Sequence, residues 1–513
     1  MNRLLRVIPL AILLPFCADA QQVDLNSGAL EGERLGQVER YLGIPYAAPP
    51  VGELRWRAPR PVDAWIGVRK ATAPGPACTQ IGGLYASNDP ATFDRPYGSE
   101  DCLYLNVWTP AERQGPRPVL FFIHGGSGVA GDSAFPIYDG ARLAAENQIV
   151  VVTVNYRLGV LGSLHLPALK TGVAAEDSGN YFLLDLIQAL DWVQANIAAF
   201  GGDPRNVTIA GHSAGAGSVL ALLRSPLAPG KFQRAISYSG LPFSSSPDQA
   251  REHSEALLEA LMRQDGSIRG AEALAQRVQE IGEAGLRHYL LGKSGAQLVE
   301  AGRGLPPGGG YLADGTVLPQ NPQPDELPVE VSSPVPLMIG TVRDEISLLA
   351  LTPKLSPAQR WELLSGETAT ATTSAYELLG FWKHLGYRVS RFFGECILDH
   401  KIEGLYDRLA PKLPALYVYT FDWDAFPQPW RGQFGAFHGL DVPFVFGNFI
   451  VDQPSFARFA WTAENAGARE ALHRRMAAAL RGFVESGNPN AHVTPNHPAW
   501  ATWDARRAQQ VWN

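Results

Sequence analysis

Four short apolar runs punctuate the chain at Val119–Ile123, Ile149–Val154, Val207–Ala210 and Pro336–Ile339. They are nearly continuous rather than alternating, the pattern of strands covered on both faces in a parallel sheet. Between the second and third, Tyr181–Ala199 carries Leu183, Leu184, Ile187, Leu190, Trp192, Val193 and Ile197 at the spacing of an amphipathic helix. Gly201-Gly202-Asp203-Pro204 then stops it. Strand, helix and strand in this order predict an α/β fold with a mostly parallel sheet covered by helices. From Pro247 to about Arg303, and again from about Pro357 to Leu385, the pattern becomes helical: charged and Ala/Leu-rich in the first stretch. A strand-like run follows each, Pro336–Ile339 and Leu416–Tyr419, so both read as helical insertions capping one sheet. No repeat, long charge run or low-complexity linker divides residues 21–513, and one domain is expected there.

The first twenty residues follow a different logic. Arg3 and Arg6 precede the apolar stretch Val7–Phe16 and the small residues of Ala18-Asp19-Ala20, the arrangement of a cleaved signal peptide. A bilayer span needs roughly 20 apolar residues, about twice that stretch. No other segment is long enough either, so no membrane span and a secreted or periplasmic location are expected. With 46% hydrophobic and 18% charged residues the chain can bury a large core. A net charge of −7 and no Lys/Arg cluster with interleaved aromatics argue against a nucleic-acid partner. Oligomeric state is not encoded at this level.

Beyond the signal, Cys78, Cys102 and Cys396 form an odd set. Cys78 and Cys102 enclose a loop rich in Gly, Pro, Ser and Asp, where a bridge would contribute about 3 kcal/mol by the loop-entropy model. Cys396, between Phe393 and Ile397, reads as a small buried apolar residue rather than a nucleophile.

The chemistry concentrates in two segments. Gly211-His212-Ser213-Ala214-Gly215 follows the β-branched run Val207-Thr208-Ile209 and precedes a helix-forming stretch to Leu223. Alone, G-x-S-x-G is a weak signal; between strand and helix it marks a sharp turn that presents a serine nucleophile. The bland alternative is that Ser213 only caps the helix. The strand Val119–Ile123 runs into His124-Gly125-Gly126-Ser127-Gly128, a glycine-rich turn whose N–H groups can face a carbonyl oxygen. Gly126 and Ser127 would supply two such donors and Ala214 a third. The Gly-Lys-Ser/Thr ending of a phosphate loop is absent.

With these segments, the sequence strongly resembles the type-B carboxylesterase and cholinesterase family of α/β-hydrolases, from about Gly28 to Trp503. Ser99-Glu100-Asp101-Cys102-Leu103-Tyr104-Leu105-Asn106-Val107, Phe200-Gly201-Gly202-Asp203-Pro204 and Tyr41-Leu42-Gly43-Ile44-Pro45-Tyr46-Ala47 carry it further. The resemblance implies an acid at Glu345, ending Gly340-Thr341-Val342-Arg343-Asp344-Glu345, with Asp344 its neighbouring rival. It implies the base at His438 in Phe437-His438-Gly439, a Cys78–Cys102 disulfide and an Arg55–Glu100 ion pair. Ser239 is a candidate supporting hydroxyl beside acid and base. The chain departs from the family in carrying His212 where Glu is common, Ser127 for a third glycine, Gly128 for an aromatic, and Asp441 for Glu. These changes predict an uncharged, fairly open site rather than one for cationic choline esters.

The expected function is cleavage of a small-molecule carboxylic ester through an acyl-enzyme on Ser213, with neither metal nor organic cofactor. Two alternatives use the same residues: a catalytically inactive binding module on this fold, and hydrolysis of amides or carbamates.

Overall fold

The computed structural model describes residues 22–513 except 113, 270–272, 306–309, 322–326, 366–374, 493–498 and 505. The expected signal peptide therefore lies outside the described residues. Ten strands form the main sheet: β1 (Glu33–Leu35), β2 (Val38–Pro45), β3 (Tyr104–Pro110), β4 (Arg117–Ile123), β5 (Val150–Val154), β6 (Gly202–His212), β7 (Arg234–Tyr238), β8 (Leu337–Val342), β9 (Leu416–Phe421) and β10 (Gln510–Trp512). Their spatial order is β10-β9-β8-β7-β6-β4-β5-β3-β2-β1. From β10 to β5 all neighbours run parallel, whereas β3, β2 and β1 add an antiparallel edge. This is an α/β-hydrolase architecture.

The apolar runs form the middle of this sheet. Along β4, Val119, Phe121 and Ile123 enter one core cluster while Leu120 and Phe122 enter the other. Successive side chains of a strand point to opposite faces, so a run with no polar member is what a strand covered on both sides requires. Each fully buried Phe or Ile contributes roughly 1.5–3 kcal/mol. One cover is α1 (Tyr181–Asn196), whose Leu183, Leu186, Leu190 and Val193 are fully buried. A 3-10 turn carries it to Phe200, and Gly201, at φ +80°, ends it in a conformation suited to glycine. The helix α2 (Ala214–Arg224) leaves β6 through Ser213.

Both insertions are helical. The first contains α3 (Pro247–Gln264), α4 (Ala273–Leu291) and α5 (Gly295–Ala301), which build a third cluster with Trp56, Val160 and Tyr181. After β8 comes α6 (Glu345–Leu351), and the second insertion then includes a helix at Pro357–Ser365 and the long α7 (Ala375–Leu409). The sequence boundary at Leu385 was too early: Gly380 takes up a break at φ +69°, ψ 171°, and the helix runs on through the exposed Gly386 to Leu409. The expected burial of Cys396 is also corrected, because that residue is exposed. Its neighbours Phe393 and Ile397 are themselves 59% and 57% exposed, so proximity to apolar residues did not imply a core. Among the described residues no helix is long and apolar enough to cross a membrane.

Cys78 and Cys102 form a disulfide. Arg55 meets Glu100 with two parallel hydrogen bonds of 2.6 Å, Nε to Oε2 and a terminal nitrogen to Oε1. This forked pairing suits the planar guanidinium, and both resemblance-based expectations hold.

Candidate active site

The serine side is one continuous piece of chain. β6 ends at His212, α2 begins at Ala214, and Ser213 between them has φ +56°, ψ −121°. Such a conformation costs an ordinary residue about 1–3 kcal/mol. The flanking glycines make the turn possible. A Cβ at Gly211 would overlap the Gly215 carbonyl, and one at Gly215 would overlap the carbonyl of Ile123 at the end of β4. The Ser213 N–H donates to the Tyr238 carbonyl (2.8 Å), and its own carbonyl accepts from Gly217 (2.9 Å). Its side chain makes no capping bond, which removes the helix-cap alternative.

Beside this turn lies the glycine-rich loop after β4. Gly126 and Ser127 adopt φ +106° and +57°. The Gly126 carbonyl accepts from Val129 (3.1 Å) and Ala130 (3.0 Å), closing a tight turn. Among the described residues the N–H groups of Gly126 and Ser127 make no hydrogen bond within the protein. The third nominated donor, Ala214 N–H, opens α2, where helix N–H groups lack an intrahelical partner.

Three side chains hold the loop. The His124 ring stacks on Tyr156 at 4.5 Å between centroids, and its Nδ1 lies 2.8 Å from the Gly125 carbonyl. Burial pulls its pKa down to about 4, so it is neutral at pH 7. The Tyr156 hydroxyl donates to the His124 carbonyl (2.8 Å). The fully buried Gln80 amide donates to the Gly131 carbonyl (2.8 Å), and its oxygen accepts the Gly131 N–H (2.7 Å). Gln80 was not singled out in the sequence; its one signal is its place two residues after Cys78.

The acid–base side joins distant pieces of chain. Glu345 starts α6, and its Oε1 accepts the Val342 N–H (3.0 Å) while Oε2 meets Nδ1 of His438. Both side chains are buried. Burial lowers the His438 pKa, and the Glu345 carboxylate, assisted by Asp441 and Glu395, raises it; the net displacement is upward from the ordinary value. With Nδ1 committed to Glu345 as a donor, Nε2 remains the proton acceptor.

Asp344, the rival acid, faces another way. Its carboxylate pairs with Arg343 (2.8 Å) and Arg391, and its Oδ2 accepts the Ala436 N–H (2.9 Å). Its N–H in turn donates to the Ala436 carbonyl (2.9 Å). Gly435 sits at φ +55°, and a Cβ there would overlap Asp344 Oδ2. Asp344 thus docks the acid turn onto the segment that leads into His438. Ser347 adds a bond to the Phe434 carbonyl (2.7 Å).

The remaining nominated residues divide. The His212 ring is buried and lies 4.8 Å from that of His438. Burial, then the neighbouring His438, hold its pKa well below the usual histidine value, so it adds no charge. Asp441 is buried with its pKa raised to about 6 by burial and by Glu345, and it accepts the Tyr419 hydroxyl (2.9 Å). Ser239 is not drawn into the acid–base contact: its N–H donates to the Gly340 carbonyl (2.8 Å), and its buried hydroxyl has no partner among the described residues.

Residues 19–512 match the model of the carboxylesterase family. A para-nitrobenzyl esterase of Bacillus subtilis (strain 168) is 34% identical over 491 residues, covering 94% of this chain and 92% of that one. A fumonisin B1 esterase of Sphingopyxis macrogoltabida is 35% identical over 483 residues, covering 92% and 83%. A solved PNB esterase structure superimposes with a TM-score of 0.73 at 31% identity, covering 96% of each chain.

Proposed function

Because the chain belongs to the carboxylesterase family and is a carboxylic ester hydrolase, we propose that Ser213 is its nucleophile, His438 its general base and Glu345 the acid that orients the histidine. The single observation that carries this reading is the buried contact of Glu345 with Nδ1 of His438. It leaves Nε2 to take the Ser213 proton as the oxygen attacks the ester carbonyl. The Gly126, Ser127 and Ala214 N–H groups stabilise the oxyanion, by about 3 kcal/mol for a well-placed donor. His438 then passes its proton to the leaving alcohol. Water, deprotonated by the same nitrogen, releases the acid from the acyl-serine.

Asp344 is not the acid in this reading, since its carboxylate is taken by two arginines and a backbone N–H. The neutral His212 and the exposed Ser127 favour uncharged small-molecule esters. We further propose that residues 21–513 act as one catalytic domain exported through a signal over residues 1–20. The Cys78–Cys102 disulfide supports an oxidising compartment. N-terminal sequencing of the mature protein tests the export reading, and an intact Met1 would end it.

The test of the nucleophile is labelling with a fluorophosphonate followed by peptide mapping, alongside release of nitrophenol from nitrophenyl acetate. Label on Ser213, and loss of label and of roughly 10⁴-fold or more of the activity in Ser213→Ala, are expected. Label on another residue, or an active Ser213→Ala, would overturn the assignment.

A further inference from the structure

Between residues 387 and 397, α7 is turned against its own amphipathicity. Packing alone would bury Phe392, Phe393 and Ile397 and leave Arg391 and Glu395 in water. Instead the three apolar residues are exposed, and the polar ones face the acid turn. Arg391 donates to the Gln433 carbonyl (2.8 Å) and pairs with Asp344 Oδ1. One turn earlier, the Tyr387 hydroxyl donates to the same Gln433 carbonyl (2.9 Å). One turn later, the Glu395 carboxylate accepts the Ile346 N–H (2.8 Å) at the start of α6. A single helix face therefore grips the residue before Glu345, the residue after it, and the segment leading into His438.

We propose that Arg391 and Glu395 are positioning residues for ester hydrolysis, holding Glu345 in register with His438 from the second insertion. Neither touches the reacting atoms. They act through the backbone: Asp344 and Ile346 bracket the acid, and Gln433 lies at the end of the short stretch that Asp344 already docks at Ala436. Without the brace, the polar contacts that join α6 to the histidine segment among the described residues are the Asp344–Ala436 exchange, the Ser347 bond and the Glu345–His438 contact itself. The bond that fixes the histidine would then have to hold its own donor and acceptor in place. The inference rests on Glu345 and His438 being the acid and base.

Arg391→Met, Arg391→Lys and Glu395→Ala test it, each normalised by fluorophosphonate titration of competent Ser213 so that loss of folded protein is separated from loss of turnover. For Arg391→Met, kcat per titrated serine is expected to fall about 30-fold, with KM moving less than about threefold, as misplacement of a catalytic group predicts. Glu395→Ala falls less, and Arg391→Lys recovers most of the turnover by keeping the charge opposite Asp344. Combining Arg391→Met with Asp344→Asn costs little beyond the worse single change, because both break one link. Wild-type kcat per titrated serine in Arg391→Met, whatever its melting temperature, overturns the proposal. Should that variant not fold, an unchanged kcat per titrated serine in Glu395→Ala overturns it equally. Failure of the unmodified enzyme to label at Ser213 would sink the nucleophile assignment instead, and the titration reports it separately.

Discussion

The two halves of this site are built in opposite ways. The serine half is local: β4 and β6, neighbours in the sheet, end in adjacent turns whose shape is dictated by glycines within a few residues of Ser213 and Gly126. The acid–base half joins residues 93 apart in sequence. It is held by Asp344, Ser347, Arg391 and Glu395 through bonds to backbone groups and one another. Rigidity in the first half comes from backbone sterics at the rim of a buried sheet. In the second it comes from polar contacts between surface-reaching segments, each modest in net free energy. Changes in the serine half should therefore act abruptly, whereas changes around the acid and base, the contact itself excepted, should be graded.

The comparison can be broken at its strongest point first. Glu345→Gln keeps the volume but offers His438 an amide that can donate to Nδ1 and favour the wrong tautomer. A fall in kcat of roughly 10³–10⁴ is expected, with the circular dichroism spectrum retained. The surviving activity should also change its pH profile. In the proposed mechanism the base works deprotonated, and the Glu345 charge is the largest contribution that lifts a buried His438 above its ordinary pKa. Without that charge burial dominates, so the acid limb of kcat/KM moves to lower pH. An unmoved limb would show that Glu345 does not set the histidine's charge.

A smaller loss is expected in the serine half from Gly126→Ala. At φ +106° with the Ala130 carbonyl in the way, the added methyl must displace the loop. Turnover should drop about 10²–10³-fold, the size of one lost oxyanion donor, with KM less affected. Activity within threefold of wild type would remove Gly126 from the oxyanion role. Gln80→Ala sharpens the comparison further, since it removes two bonds to Gly131 without touching the catalytic turn. A loss of about tenfold in kcat with intact Ser213 labelling is expected. Equal activity would mean the glycine turn is self-supporting.

The legibility of the site in the sequence follows the same division. Ser213, Gly126, Ser127 and Ala214 could be read from residues because strand, glycine turn and helix succeed one another without interruption. The central strands could be read because burial on both faces leaves each run almost wholly apolar. Glu345 and His438 came from family resemblance, for no periodicity relates positions that only the folded sheet brings together. Neither route reached Arg391, Glu395 or Gln80: they carry ordinary polar side chains, and apart from the Arg391–Asp344 pair the contacts that matter here are to backbone groups invisible to side-chain patterns. The error at Cys396 has the same origin. Its apolar neighbours Phe393 and Ile397 suggested burial, whereas the face of α7 that is held is the one carrying Arg391 and Glu395.

Gly435 sets a limit on how this enzyme can change over generations. Two carboxylates stand side by side at 344 and 345, and a lineage might be expected to trade one for the other. The Asp344 carboxylate, however, occupies the space that any side chain at position 435 would need. Releasing it to serve as the acid would require undocking Ala436 and two arginines at once. With Glu345 as the proposed acid, exchanging the two roles would have to break three contacts of the Asp344 carboxylate together, and the missing side chain at Gly435 is what leaves room for them.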